Sequence, residues 1–200
     1  MPITISKNKL LLVEGRNDKL FLESLIRHIN INDIQIVSYE GKDNLKNTLK
    51  TLKTDANFRK VSTIGIIRDA DNDFNSAFDS VKTALSNSNL TIPQTPLYKT
   101  GSNPSISIYI MPNNQDAGDL EKLIIDTLQQ DPILLCVSNY FDCVSKITGT
   151  THPKLHKASI QVYLAKEDEG YVSMDTACQK GVWHLESPAL DSIKTYLSVL

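Results

Sequence analysis

The run Ile64-Gly65-Ile66-Ile67-Arg68-Asp69-Ala70-Asp71-Asn72-Asp73 passes from apolar, mostly β-branched residues to three acids within five positions. An apolar stretch of this kind reads as a buried parallel strand. The carboxyl end of such a strand is where an open α/β sheet places its ligands. Asp69 and Asp71 are two apart, so in an extended chain their side chains leave the same face. Two carboxylates held side by side repel each other, and a hard divalent cation relieves that repulsion. The pair is therefore a candidate Mg²⁺ or Mn²⁺ site. The competing reading is that Asp71, Asn72 or Asp73 caps the following helix. Arg68 either anchors a phosphate or offsets the acids, and its type alone does not separate the two.

The elements that must position these acids follow from periodicity. Leu10-Leu11-Leu12-Val13 is a short strand stopping at Glu14-Gly15, and a helix follows through about Ile29, with Leu22, Leu25, Ile26 and Ile29 inward. Asp18 falls in its first turn, where a carboxylate favours the macrodipole. Ile34–Val37 is the second strand, punctuated by Gly41, and a helix covers 43–52. The third strand spans 61–67 and the third helix 72–85. Residues 87–104 are rich in Ser, Thr, Asn and Pro and read as loop. A fourth strand spans 105–111, and after a polar loop Asp119 starts a helix carrying Glu121. Helices are expected over 133–147, 154–166 and 187–200, with loops around Gly149 and over 170–183. Strand–helix repetition predicts a mostly parallel four-stranded sheet with helices on both faces, a three-layer α/β/α fold. The chain divides into an α/β domain over 1–130 and a helical extension over 131–200 packed on the same domain.

Composition narrows the class. Of 200 residues, 40% are hydrophobic and 22% charged, as in an ordinary globular protein with ample core. No run reaches transmembrane length and the N-terminus lacks a signal-peptide core, so no membrane role and a cytoplasmic location are expected. Three cysteines without Cys-x-x-Cys exclude a disulfide framework, and Cys136 and Cys143, seven apart, would share one buried helix face. A net charge of −2 offers no global field for nucleic acid. Lys42, Lys46, Lys50 and Lys53 form one basic helix face, either a track for phosphates or, more simply, a solvated face. His152 and His156 make a poor zinc pair. Trp183 reads as an anchor for the C-terminal tail, since no aromatic residues cluster with basic ones to make a stacking surface.

Strand one ends in Glu14, strand three in Asp69 and Asp71, and strand four leads to Asp119 and Glu121. A strand order 2-1-3-4 would put the acids at one switch point.

Leu11-Leu12-Val13-Glu14-Gly15-Arg16-Asn17-Asp18, followed by Ile66-Ile67-Arg68-Asp69-Ala70-Asp71, resembles the Toprim domain of topoisomerases, small primases and related nucleases. It is similar above all to stand-alone bacterial Toprim proteins related to the overcoming-lysogenisation-defect nucleases. The resemblance covers roughly residues 9–125, and Gly41 matches a glycine such domains often carry. It implies a Toprim-like, Rossmann-like fold and a Mg²⁺- or Mn²⁺-dependent nuclease acting on DNA or RNA, in nucleic-acid processing or anti-phage defence. By resemblance, Glu14 is a metal ligand and general acid/base, and Asp69 and Asp71 hold metal. Asp18 and Glu121 help hold a second ion, and Lys157, or else Lys154, steadies the scissile phosphate. The chain is too short for the tyrosine-bearing domain a topoisomerase needs. One ion or two, about 3.5–4 Å apart, would activate water and neutralise the phosphodiester. Two alternatives stand beside this: a Toprim subunit that needs a separate ATPase partner protein, and a phosphoacceptor module using Asp69. Assembly into a homo-oligomer is left open.

Overall fold

The computed structural model describes residues 4–167 and 172–200. Four strands, β1 (Lys9–Val13), β2 (Ile34–Ser38), β3 (Thr63–Asp69) and β4 (Ser105–Met111), form one all-parallel sheet in the order β2-β1-β3-β4. The interior strand β3 is buried at every residue, which is why it is apolar throughout between Thr63 and Arg68.

Alternation along the strands feeds two cores. Leu10, Leu12, Ile64, Ile66, Ile106, Ile108 and Ile110 face α2 (Leu45–Thr54) and α3 (Phe74–Ser86). Leu11, Val13, Ile67, Tyr109 and Met111 face the other layer, built from α1 (Arg16–His28), α4 (Leu120–Thr127), α6 (Leu155–Leu164), α7 (Met174–Lys180) and α8 (Asp191–Ser198). The result is a three-layer α/β/α fold whose second helical layer includes the C-terminal helices. Among the described residues, no helix is long and apolar enough to cross a membrane.

Several expectations are corrected. The third strand runs to Asp69 rather than ending at Ile67, because Arg68 and Asp69 pair with Ile110 and Met111 of β4. Half of the expected loop over 170–183 is the helix α7, capped by Ser173 at its start and Gly181 (φ 68°) at its end; residues 170 and 171 lie outside the described residues. The helix α5 (Pro132–Thr148) buries only Val137, so Cys136 and Cys143 are exposed, not a buried face. Trp183 is buried in the core that α8 joins.

Candidate active site

The strand order carries the acids to one edge. Leu12 of β1 pairs with Ile66 of β3, so Glu14 and Arg68 each lie two residues further along neighbouring chains. The loop after β2 then folds over this end: the Gly41 N–H, at a φ of 103° that favours glycine, donates to the Glu14 carbonyl at 2.9 Å. Arg68 points toward the α2 side, where its guanidinium reaches the Lys42 carbonyl (3.4 Å) and Glu14 Oε2 (Nε, 3.5 Å). Asp69, one residue on, points to the opposite side and accepts the Leu120 N–H at 3.2 Å, at the start of α4.

Two helix starts supply the remaining acids. Asp18 accepts the Gly15 N–H at 2.6 Å, closing the entry to α1. Its role is thus a specific backbone bond and more than a favourable macrodipole. Asp119 caps α4 by accepting the Lys122 N–H at 2.9 Å, which fixes Glu121 in the first turn, facing inward. Lys157 of α6 reaches across to Glu121 Oε2 at 3.9 Å.

Glu14, Asp18, Asp69, Glu121 and Lys157 line one cleft of about 320 Å³, together with Gly41 and the Gly15–Asn17 turn. Asp18, Asp69 and Glu121 are buried. Burial is the largest influence on each carboxyl and pushes all four upward. Asp18 rises to about 7, with Glu121 and Glu14 adding repulsion against the lowering bond from Gly15. Asp69 lies well above its usual range, raised further by Asp18, Glu14, Asp119 and Glu121. Glu14 is raised less steeply because Arg68 opposes its burial, and Lys157 opposes that of Glu121. Glu14 Oε2 is buried yet accepts no hydrogen bond.

Asp71 departs from the extended-chain expectation. Its φ of 51° turns the backbone, and paired bonds with Gly118 (2.8 and 2.9 Å) hold it in a bridge beyond the strand. It is exposed and lines a neighbouring cleft of about 630 Å³ with Lys42, Asp119, His156 and Lys157. Its charge still reaches Glu14. Of the three residues weighed as a cap, Asp73 is the one that caps α3, accepting the Ser76 N–H at 2.7 Å. Among the described residues, no three His, Cys, Asp or Glu side chains converge as a ready-formed cation cage; the acids line the cleft walls instead.

Some neighbours of the site were not legible in the sequence. His156 stands 3.2 Å from Asp119, a pairing its spacing from His152 does not hint at. Tyr140, Phe141 and His152 share a third cavity with Lys154 and Lys157, so aromatic and basic residues do cluster, only not around Trp183. Lys53 is tied to the Ser88 carbonyl at 2.8 Å, which removes it from any continuous basic track.

Residues 8–200 match the family described as "Protein of unknown function (DUF3226)". No curated protein matches the chain. Among solved structures, the chain is similar to a hypothetical protein, PH0156, from Pyrococcus horikoshii OT3, with a TM-score of 0.66 and 16% identity over 96% of this chain and 95% of that one. That likeness is one of fold. The C-terminal region of the OLD protein of Xanthomonas campestris pv. campestris also aligns, with a TM-score of 0.46 and 13% identity over 96% of this chain and 97% of that one.

Proposed function

The chain belongs to DUF3226, a family of proteins of unknown function, and for this member we propose Mg²⁺- or Mn²⁺-dependent hydrolysis of phosphodiester bonds in DNA or RNA. The observation that carries the reading is the single cleft in which Glu14, Asp18, Asp69 and Glu121 meet Lys157 at the carboxyl end of the sheet. The Toprim resemblance of the Glu14-Gly15 and Asp69-Ala70-Asp71 segments supports it. A phosphoacceptor role for Asp69 would leave Glu14 and Asp18 without a task.

The donor set fits a hard divalent cation. It is all oxygen, it carries concentrated negative charge, and Glu14 Oε2 has its lone pairs unused. When bound, such an ion supplies an activated water and neutralises phosphodiester charge. Asp18, Asp69 and Glu121 would hold it from the floor of the cleft, while Asp71, in the neighbouring cleft, acts on the site only through its charge. Glu14 would share the ion and take the proton of the attacking water. Arg68, 3.5 Å from Glu14 Oε2, opposes the effect of burial and favours the ionised form of the Glu14 carboxyl. Lys157, half-exposed at the mouth, meets a non-bridging phosphate oxygen.

The test is incubation with supercoiled plasmid, linear DNA and structured RNA in Mg²⁺, Mn²⁺ or EDTA. Cleavage should need metal. Removing a partner behind a metal ligand costs about 10–100-fold, so Glu14→Ala and Asp69→Ala should lose at least that. Unaltered cleavage in both folded variants would refute the assignment.

A second reading, a subunit awaiting a partner such as an ATPase, is favoured by α5, which leaves Leu135 (65%) and Ile147 (81%) in solvent. Metal binding that depends on Asp69 without cleavage, then activity on adding a co-purifying protein, would select it.

A further inference from the structure

We infer that the cavity between α5, α6 and the start of α7 receives an unpaired nucleobase of the strand whose phosphate rests on Lys157. The inference depends on the nuclease reading for the phosphate's place and adds the substrate class: single-stranded or frayed nucleic acid in preference to closed duplex.

The cavity is about 650 Å³ and is walled by Tyr140, Phe141 and His152, with Lys154, Lys157 and Glu121 at its polar side. This volume lies within the range of sites that enclose a small organic ligand. The three rings form a corner. Tyr140 and Phe141 meet edge to face at 5.0 Å and 80°, and Phe141 and His152 at 6.1 Å and 65°. The His152 ring is held in place by accepting the Lys154 N–H at Nδ1 (3.1 Å). Tyr140 is 52% exposed, so a planar group can lie on its ring without displacing core.

Position ties this wall to the acid cleft. Lys157 and Glu121 line both spaces, so a phosphate on Lys157 has one neighbouring nucleoside at the aromatic corner. Two lysines beside aromatic rings complement a phosphate joined to a base, and such platforms stack any base by its π-face. A base inside a closed duplex cannot reach the corner without leaving its stack.

The experiment measures fluorescence anisotropy of short end-labelled strands in Ca²⁺, with strand integrity checked afterwards. The strands are oligothymidylate, the same backbone with abasic sites, and a closed hairpin duplex. The full-length protein should bind oligothymidylate about tenfold more tightly than the abasic strand. Tyr140→Ala should abolish that advantage and Tyr140→Phe should keep it. Equal affinity for the two strands, or an undiminished advantage in Tyr140→Ala, overturns the inference. Cleavage assays on the same strands separate the two readings. A base-dependent preference with no cleavage in Mg²⁺ or Mn²⁺ supports the cavity assignment and removes the nuclease reading. Metal-dependent cleavage of duplex as fast as single strand, indifferent to Tyr140→Ala, does the reverse.

Discussion

The cleft acids act against the fold that holds them. Asp18 has its carboxyl pushed from 3.8 to about 7, mainly by burial, so the native state keeps a proton that the unfolded chain releases near 3.8. Between those values the native state binds more protons, and stability therefore falls as pH rises through the window. Asp69, Glu14 and Glu121 shift in the same direction and add to the slope. In EDTA the protein should melt several degrees higher at about pH 5 than at about pH 8, and Mg²⁺ should recover much of the loss at the higher pH. A flat profile in differential scanning calorimetry would contradict this. Asp69→Asn keeps an oxygen for the Leu120 N–H while removing a buried charge. It should abolish cleavage and yet raise the metal-free melting point by about 2–4 °C, the equivalent of about 1 kcal/mol in a chain of this size. The strand-end positions of Glu14 and Asp69, and the place of Glu121 at the start of the helix after strand four, were legible in the sequence. The turn at Asp71 was not, because its partner is Gly118, on a distant loop.

At the scale of elements, the C-terminal helix α8 sits on β3 through a residue without a side chain. A Cβ on Gly65 would come within 2.7 Å of Leu200 Cδ1 and 2.8 Å of the Tyr196 hydroxyl. That hydroxyl is tied to the neighbouring strand, donating to the Ser107 carbonyl at 3.3 Å and accepting from Ser107 Oγ at 3.2 Å. Gly65→Ala should therefore destabilise by about 1–3 kcal/mol, read from the urea midpoint at unchanged slope. An unaltered midpoint would show that α8 yields freely. Nothing in the segment around Gly65 names the residues that approach it, because they lie at the far end of the chain. The helix α7 was missed because its seven residues are too few for a hydrophobic period to declare itself; Ser173 and Gly181 were the available signals. The helix α5 misled in the opposite way. Its apolar residues recur as on a packed helix, yet the fold fully buries only Val137, with Leu134 and Phe141 partly buried against the same core.

Across the whole molecule, the second helical layer is assembled from both ends of the chain. Ile160, Tyr163, Leu164, Ile193, Tyr196 and Leu197 pack in the same core as Leu11, Phe21, Ile67 and Leu123. Each such side chain contributes about 1.5–3 kcal/mol by burial, so the six from the C-terminal helices together are comparable with the whole of the roughly 5–15 kcal/mol that typically separates folded from unfolded. A chain ending near residue 130 should therefore lack a cooperative thermal transition; a sharp one would mean that the first 130 residues carry their own core. The strand–helix alternation and the buried runs determined the parallel three-layer fold, because periodicity and β-branching are local properties that a parallel sheet must satisfy. They also determined which acids stand at strand ends. Only the tertiary structure decided that Asp18 and Glu121 share a cleft with Asp69 while Asp71 looks into the next one. It likewise decided that Lys157 bridges that cleft to an aromatic corner on α5. Those relations depend on how helices far apart in sequence are laid across the sheet, which no local pattern of residues records.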